Sequence, residues 1–386
     1  MRVVILCHKF RPSVGGLQTY TERLTSFLHA RGHRVDVFTT QSPSTAPRRE
    51  QVGPDFAISR FPTRLASHFP FHFMPQLLLT AVRSELRSAD VIHSVGYHFF
   101  PTVLGYWVSS VFHVPHVVTP VFMLNPETWQ RRLYDRVVGR RLVRDAYRLI
   151  IQSERERELL HTHHFALPAH QIIPFGVDAT RFKRDVDVDT LRQQLNLADE
   201  KVVLVVGKIM SSKGAFKALD ALRLVLNRGL RVRLVMVGEV HDRQQVMFRD
   251  HLRANRLDSH VTLTGAVSHD DGIAQYYQLA DAILFPSQYE QFGIVAIEAA
   301  ASGRPILGTP VGVMQDLIPR FEIGLLHQFD DVEQLAANLQ EVLSNPRYQS
   351  NAHQNRAHIL QEFDWEQIAE RTESVYAEVT RGSDGH

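Results

Sequence analysis

The sequence contains one cysteine, Cys7, among its 386 residues. A single thiol cannot form an intrachain disulfide, and it cannot supply the set of thiolates that a cysteine-based zinc site or an iron–sulfur cluster requires. The protein therefore has no need of an oxidising compartment, and a reducing cytosol is allowed.

Long hydrophobic runs are also missing. The longest candidate, residues 103–114, is interrupted by Gly105, Ser109 and His113, whereas a membrane-spanning helix needs about 20 apolar residues. The apolar run 3–7 is too short for the core of a signal peptide, and charged residues follow it directly. We expect a soluble, cytoplasmic protein.

Lysine is scarce, with six lysines against 37 arginines, and charge is unevenly distributed. Residues 1–180 hold 21 basic and 13 acidic residues, a net charge of +8, and the remainder holds 22 and 28, a net charge of −6. A basic first half suggests contact with an anionic lipid surface or a phosphorylated substrate, and a solvated surface is the alternative. No nucleic-acid recognition motif is present, so we expect no nucleic-acid partner.

Short apolar runs alternate with helical segments along the chain, which predicts parallel, doubly wound α/β sheets. Because one core rarely extends beyond about 250–300 residues, two such domains are expected. We place the first at 1–173 and the second at 174–362, with a linker at 174–182. The predicted strands are 3–7, 35–39, 91–94, 116–119, 148–153, 202–207, 232–238, 261–265, 282–285 and 305–307.

Two carboxylates, Glu290 and Glu298, follow one of these strands. A helix is predicted to begin near Phe292, which leaves Glu290 in the loop and places Glu298 nearly two turns into the helix. The amides of Phe292, Gly293 and Ile294 would then form a helix N-terminus, where anions bind readily. This pattern suits a ligand that has both phosphate and hydroxyl groups.

Two of the six lysines, Lys208 and Lys213, lie five residues apart after another predicted strand. The spacing is not that of a Walker A loop. Lys213 precedes Gly214 at a predicted helix start, so its ammonium could reach a diphosphate. Between the first strand and the first helix, Gly15 and Gly16 would allow the backbone to approach a ligand closely.

Together these motifs resemble the retaining glycosyltransferases of family 4, which have the GT-B fold: two Rossmann-like domains facing a central cleft. The resemblance covers nearly the whole chain, and the spacing Glu290-x7-Glu298 is its most specific part. The other matching motifs are Phe10-x-Pro12-x2-Gly15-Gly16, Gly32-His33-x-Val35, Val91-Ile92-His93, Pro174-Phe175-Gly176-Val177-Asp178, Gly207-x5-Lys213-Gly214, Val237-Gly238-Glu239 and Asp281-x4-Pro286-Ser287.

The resemblance implies a role for each matching residue. Lys208 and Lys213 would hold the nucleotide diphosphate, with Gly15 and Gly16 approaching the phosphate from the other domain. Glu290 would bind donor-sugar hydroxyls beside the Phe292, Gly293 and Ile294 amides, and Glu298 would bind the ribose. The family also implies that the last helix, within 363–386, crosses back to the first domain.

The implied reaction moves a hexose from a UDP-linked or GDP-linked donor to a glycan or a lipid-linked acceptor. It would be retaining and metal-independent, with no bound cofactor, and would serve cell-surface polysaccharide or glycolipid biosynthesis. The first domain would bind the acceptor and the second the nucleotide sugar. The alternatives are a non-catalytic sugar-nucleotide-binding protein and a GT-B sugar-nucleotide epimerase.

One departure from the family pattern concerns catalysis. Family members often have a histidine two residues after a threonine that corresponds to Thr119, and this sequence has Val121 there. His93 and His98 are therefore the candidates for contacting the donor sugar or the acceptor. The alternative for both is a hydrogen-bonded structural histidine.

A basic stripe could dock the protein on the inner face of an anionic membrane, together with the aromatic segment Phe69-x-Phe71-x-Phe73. A solvent-facing arginine stripe is the alternative. The stripe repeats every four residues: Arg132, Arg136, Arg140, Arg144 and Arg148.

No metal site is expected. The run Asp185-x-Asp187-x-Asp189 lacks the glycine and the glutamate of an EF-hand loop, so it more plausibly caps a helix.

Overall fold

The structure is a computed structural model that describes residues 1–13, 15–62, 84–122, 129–183, 187–267 and 272–383. The chain divides into two units. Unit 1 consists of Met1–Gly176 and Trp365–His386, and unit 2 consists of Val177–Asp364. The boundary thus falls within the predicted linker.

Unit 1 is built on a sheet that has eight strands within the described residues, in the order β3-β4-β2-β1-β5-β6-β7-β8. All neighbours pair in parallel except β3 and β4, which form an antiparallel edge. The strands are β1 (Arg2–Cys7), β2 (Arg34–Thr40), β3 (Arg49–Gly53), β4 (Phe56–Phe61), β5 (Val91–Val95), β6 (His116–Thr119), β7 (Arg148–Ile151) and β8 (His170–Ile172).

The central strands of unit 1 are buried along their length because helices cover both faces of the sheet. The helices in the described part are α1 (Gly16–Ala30), α2 (Ser84–Arg87), α3 (Phe100–Phe112), α4 (Trp129–Tyr134), α5 (Arg140–Arg144) and α6 (Glu154–Thr162), with a π-helical turn (Asp135–Gly139) between α4 and α5.

Unit 2 contains a parallel sheet with the order β11-β10-β9-β12-β13-β14 in its described residues. Its strands are β9 (Lys201–Val206), β10 (Val232–Val237), β11 (Val261–Gly265), β12 (Ala282–Phe285), β13 (Ile306–Gly308) and β14 (Gly324–Leu326). Its helices are α7 (Ala179–Lys183), α8 (Asp189–Gln194), α9 (Ala215–Asn227), α10 (Gln245–Ala254), α11 (Ile273–Leu279), α12 (Ile294–Ala301), α13 (Met314–Phe321), α14 (Val332–Ser344) and α15 (Pro346–Glu362), with short 3₁₀ turns at Ser211–Lys213 and Asp242–Gln244.

Each sheet has one point at which the strand order reverses direction. In unit 1 the reversal lies between β1 and β5, and in unit 2 it lies between β9 and β12. Ligands of open α/β sheets bind outside the carboxyl ends of the strands at such a switch point. The two switch points therefore define where a functional site is expected in each unit.

The last helix, α16 (Trp365–Ser383), belongs to unit 1. It packs on α1, β5 and β7. Ion pairs fasten it at the surface: Arg31 Nε lies 2.6 Å from Glu373 and Arg148 Nη2 lies 2.6 Å from Glu378. The chain therefore returns to unit 1 after completing unit 2.

The prediction of two doubly wound α/β domains is confirmed. The sequence did not reveal strands β3, β4, β8 and β14, which are short or carry polar residues. The predicted arginine stripe ends at Arg144, because Arg148 begins strand β7. Phe69, Phe71 and Phe73 lie outside the described residues. No helix of the described ranges is long and apolar enough to cross a bilayer.

Candidate active site

A lysine and a glutamate meet at the switch point of unit 2. Lys213 lies in the turn after β9 and Glu290 in the loop after the neighbouring strand β12. Lys213 Nζ is 2.6 Å from Glu290 Oε1. The lysine side chain is 39% exposed and that of the glutamate 19% exposed, so both remain accessible to a ligand.

The two loops meet because glycine permits a close approach. Gly214 has a φ of 71°, and a Cβ there would lie 1.8 Å from the Pro286 carbonyl oxygen. A second tie joins the loops where the Gln288 amide donates to the Ser212 carbonyl at 2.9 Å. Residues 77 positions apart in sequence are thus held side by side.

Glu290 is further oriented from its own loop. The Ser287 hydroxyl donates to Glu290 Oε1 at 2.9 Å, and the Thr309 hydroxyl holds the Ser287 carbonyl at 2.5 Å. One carboxylate oxygen therefore receives both the lysine and the serine, an arrangement that fixes where this carboxylate points.

The N-terminus of helix α12 lies just after the Glu290 loop in the chain. Gly293, with a φ of 90°, turns the chain into the helix that begins at Ile294. The buried Phe292 anchors the turn, since its carbonyl accepts from the Val313 amide at 2.7 Å. Gly312 is required beside it, because a Cβ there would lie 2.4 Å from the Phe292 carbonyl oxygen. The first amides of a helix have no intrahelical acceptor and carry partial positive charge.

Glu298 lies within α12 and is buried. Its Oε2 accepts a 2.7 Å hydrogen bond from the Tyr277 hydroxyl on α11. Burial, reinforced by the adjacent carboxylate, raises the pKa of Tyr277 well above its ordinary value. The tyrosine therefore stays protonated and serves as a permanent donor that orients Glu298.

The structure does not bring Lys208 into this group through any contact within the described residues. Its side chain is exposed in the loop after β9. That loop packs tightly on the one after β10, where a Cβ on Gly238 would lie 2.0 Å from the Gly207 carbonyl oxygen. Lys208 thus remains a predicted diphosphate ligand placed at the same end of the sheet as Lys213.

Gly15 and Gly16 lie at the start of α1, beside the switch point of unit 1. Gly15 is extended, with a φ of 160°, so its backbone conformation does not require glycine. A small cavity opens nearby, between the carboxyl ends of β1 and β5. Its lining includes Cys7, His8, Lys9, Gln18, Thr21 and Phe99.

His93 is buried in the core of unit 1 rather than at this cavity. Its Nδ1 lies 2.6 Å from the Tyr376 hydroxyl on α16, and its Nε2 lies 2.8 Å from the Thr119 hydroxyl on β6. Burial, aided by His116, lowers the pKa of His93 to about 3. Both nitrogens are occupied by the protein, which favours a structural role over the catalytic one that the sequence suggested.

His98 lies closer to the cavity. Its ring stands 4.0 Å from that of Phe99, a lining residue. Burial and the Arg131 guanidinium lower its pKa, so the ring is neutral near pH 7. Val121, at the position where the family often has histidine, is buried and has a φ of 52°. The side chain at this position is therefore packed in the core and is not available to a ligand.

No group of three metal-ligating side chains occurs in the part of the chain that the structure describes. Within that part, Asp187 caps α8: its carboxylate accepts from the Asp189 amide at 3.0 Å. Asp185 lies outside the described residues.

Comparison with known proteins identifies the family. Residues 15–176 match the glycosyl transferase 4-like domain, and residues 187–359 match the glycosyl transferases group 1. The chain belongs to the group 1 glycosyltransferases of the family 4 type. It is 27% identical over 392 residues to D-inositol 3-phosphate glycosyltransferase of Arthrobacter sp. strain FB24, covering 96% of this chain and 92% of the relative.

Solved structures show the same fold. Sucrose-phosphate synthase from Thermosynechococcus elongatus superimposes with a TM-score of 0.80 at 24% identity, covering 99% of this chain and all of the other. Anabaena HepE in complex with UDP gives a TM-score of 0.79 at 19% identity, covering 98% of this chain and all of the other. The predicted GT-B fold of this glycosyltransferase is thereby confirmed.

Sequence reasoning missed residues that support the predicted ones. Tyr277, which orients Glu298, carries no motif that distinguishes it from the adjacent Tyr276. Gly312 lies 22 residues beyond Glu290, and only the folded chain shows that its missing side chain makes room for the Phe292 turn. Ser287 belonged to a recognised motif, but its bond to Glu290 was not anticipated.

Proposed function

We propose that this glycosyltransferase is a retaining, metal-independent hexosyltransferase that uses a nucleotide-sugar donor bound by unit 2. The observation that carries the proposal is the Lys213–Glu290 pair beside the N-terminus of α12, at the switch point of the sheet. This grouping places a cation, helix amides and an oriented carboxylate within one loop cluster, as a diphosphate-linked sugar requires. A UDP-linked hexose is the favoured donor, since the HepE structures contain UDP and UDP-glucose.

Donor binding would change the partner of Lys213. A diphosphate competes with Glu290 for the ammonium, and Lys213 would move from the carboxylate to the phosphate. Glu290, still held by Ser287, would then accept hydrogen bonds from hydroxyls of the sugar. Glu298, oriented by Tyr277, would accept bonds from the ribose hydroxyls. Lys208 and the backbone at Gly15 and Gly16 are proposed to complete the diphosphate contacts.

The chemical step breaks the bond between the sugar C1 and the diphosphate oxygen and forms a bond from C1 to the acceptor oxygen on the same face. The acceptor proton passes to the departing phosphate oxygen. Negative charge grows on the diphosphate, where Lys213 and the first amides of α12 stabilise it. Fixed charges of this kind need no reorganisation during the reaction, which supports catalysis without a metal.

Unit 1 is proposed to bind the acceptor, a glycan or a lipid-linked intermediate of cell-surface assembly. Its surface supports docking on an anionic membrane at the cytoplasmic face. Trp129, Leu133 and Val137 are 68%, 54% and 55% exposed, and they recur every four residues beside the exposed Arg132 and Arg136. Apolar residues flanked by arginines are typical of a segment that lies in a lipid interface. Binding to phosphatidylglycerol vesicles and not to phosphatidylcholine vesicles tests this proposal.

The donor proposal is tested by calorimetric titration of UDP and GDP into the wild type, Lys213→Ala and Glu298→Gln. One nucleotide should bind the wild type tightly. Both variants should bind it about 10–100-fold more weakly, because each loses a charge-assisted hydrogen bond. Lys217→Ala is the matched control: this lysine lies one helical turn further on and pairs with Asp330 at 3.2 Å.

Absence of nucleotide binding by the folded wild type would overturn the transferase proposal. Where binding occurs, transfer from the matching nucleotide-linked glucose is measured with two acceptor probes, D-inositol 3-phosphate and a lipid extract. Transfer to either probe excludes the non-catalytic alternative, and conversion of the donor to its epimer without transfer would indicate an epimerase.

A further inference from the structure

A buried carboxylate in unit 1 gathers backbone amides from two loops. Glu156 lies in the first turn of α6, and the protein encloses it. Its Oε1 accepts from the Phe122 amide at 2.7 Å, and its Oε2 accepts from the Gln152 amide at 2.7 Å. The Val121 amide also faces this carboxylate and lowers its pKa. Hydrogen bonds to an ionised acceptor are about twice as strong as neutral ones.

The loop that Glu156 holds has an unfavourable backbone conformation. Val121 is β-branched and has a φ of 52°, a left-handed conformation that such residues rarely adopt. Residues in sparsely populated regions persist only when their surroundings enforce them, and they cluster at functional sites. Here the enforcement comes from two sides. The Tyr97 amide donates to the carbonyl of Pro120, just before Val121, at 3.0 Å, and the amide of Phe122, just after it, donates to Glu156.

The held loop in turn supports a charged group at the carboxyl ends of the strands. The Phe122 ring stacks on Tyr97, with centroids 5.8 Å apart and an interplanar angle of 16°. The Arg131 guanidinium lies 5.1 Å from the centre of the Phe122 ring and donates to the Tyr97 hydroxyl at 3.1 Å. The Arg131 side chain is 16% exposed and also pairs with Asp135 at 3.8 Å. Fixing the buried Phe122 ring therefore helps to fix this guanidinium.

We propose that Glu156 is a positioning residue for the acceptor: its carboxylate holds the Val121–Phe122 turn, and with it the Arg131 guanidinium that packs on Phe122, in the conformation that receives the acceptor. This inference rests on the proposed function, in which unit 1 binds the acceptor at the carboxyl ends of its strands. Glu156 does not touch substrate, and it acts through the amides that it holds.

The ionisation of Glu156 supports this role. Burial raises the pKa of its carboxyl to about 7, against the opposing effect of the three amides. The titratable and charged groups of the surrounding elements include Tyr20 from α1 and, around the Phe122 ring, Tyr97, Arg131, Asp135 and His163. Because the folded pKa lies above the ordinary value of 4.5, stability falls as the pH rises from about 4.5 to about 7. The ionised carboxylate binds the amides best, but ionising it in a buried position lowers the stability of the folded protein. Such a loss of stability is expected of a group that is retained for function.

The experiment compares Glu156→Gln with Glu158→Gln in the full-length protein. Glu158 is the matched control, since it lies on the same helix but at the surface, paired with Arg155. Glutamine at 156 would keep the size of the side chain and place an N–H₂ against a backbone donor. Transfer from UDP-glucose to D-inositol 3-phosphate or to the lipid extract should fall on the order of a hundredfold. UDP affinity and donor hydrolysis by water should stay at wild-type values, a split that general unfolding would not produce.

Amide proton shifts provide a readout that does not depend on activity. In the wild type the Val121 and Phe122 amides should titrate near pH 7, and in Glu156→Gln they should not. Wild-type amides that do not titrate, or equal losses of transfer and hydrolysis in Glu156→Gln, would overturn the proposal. If the wild type binds no nucleotide, the proposed function fails while the amide titration still decides whether Glu156 holds the turn.

If Glu156→Gln does not fold, the pH dependence of transfer by the wild type tests the proposal instead. Transfer that rises with pH together with the Phe122 amide shift supports the inference, and transfer that stays constant while the amide titrates contradicts it.

Discussion

The two units of this glycosyltransferase use polar and charged residues in opposite ways. In unit 2, Lys213 and Glu290 pair at the surface of the loops, where a ligand can exchange for either partner. In unit 1, His93 and Glu156 are buried, and their polar atoms bind groups of the protein itself. Residue type alone therefore does not separate a ligand-binding group from a structural one. Accessibility and the identity of the partner do.

Among the substitutions that test this difference between the units, Glu290→Ala should have the largest effect. Transfer should fall about a hundredfold, because the sugar loses its positioning carboxylate. UDP affinity should stay equal or increase, because Lys213 no longer shares its ammonium with a carboxylate. Glu333→Ala is the control, since it removes a surface glutamate that pairs with Arg228. Parallel loss of UDP affinity and transfer would mean that Glu290 mainly binds the donor's nucleotide.

As the pH is lowered, unit 1 should lose stability before unit 2. Burial lowers the pKa values of His93, His98 and His116 to about 3. For a histidine with a lowered folded pKa, the stabilising contribution is complete above about pH 6.5 and is lost as the pH falls towards 3. The raised pKa of Glu156 acts in the opposite direction between about pH 7 and 4.5, so the net loss should be steepest below 4.5.

Hydrogen exchange between pH 7 and 4, followed by peptide, measures this difference. Peptides of β5 and β6 should lose protection at a higher pH than peptides of β9 and β12. His93→Phe removes one titrating group and should make the pH dependence of unit 1 shallower. Earlier loss of protection in unit 2 would contradict the assignment of His93 as a structural residue.

The smallest effect is expected from Tyr277→Phe, which removes one hydroxyl from unit 2. Glu298 would keep its charge but lose an orienting donor, so UDP affinity should fall about fivefold, equivalent to roughly 1 kcal/mol. Tyr276→Phe, the neighbouring substitution on the same helix, should leave affinity unchanged. Equal affinities for the two variants would show that Tyr277 has no part in orienting Glu298.

Much of the fold could be predicted because its signals are local. Strands such as β6 and β12 are short, mainly apolar runs with clear ends, and their predicted bounds match those of the structure. Strands β3, β4, β8 and β14 lacked such signals because they are short or carry polar residues. The π-helical turn at Asp135–Gly139 was also not predicted. The four-residue spacing of the arginines continues through it and gives no sign that the helix widens there.

The candidate site was predictable only in part. Lys213 and Glu290 belong to separate motifs, and it is the long-range packing of Gly214 on Pro286 that brings them together. His93 has the residue type and the location of a catalytic group, yet its partner Tyr376 lies 283 residues away. Glu156 had a local signature, Ser153-x-x-Glu156, which is typical of a helix cap and gave no sign of the loop that it holds.

The membership of α16 in unit 1 has a consequence for biosynthesis. The two ends of unit 2 are adjacent, since the Val177 amide donates to the Phe363 carbonyl at 2.6 Å. Unit 2 is thus a continuous stretch of sequence inserted within unit 1. Unit 1 must wait for Trp365–Ser383, which supply the hydroxyl beside His93 and the carboxylates beside Arg31 and Arg148. The unit that is synthesised first therefore depends on residues synthesised after all of unit 2 to complete its core.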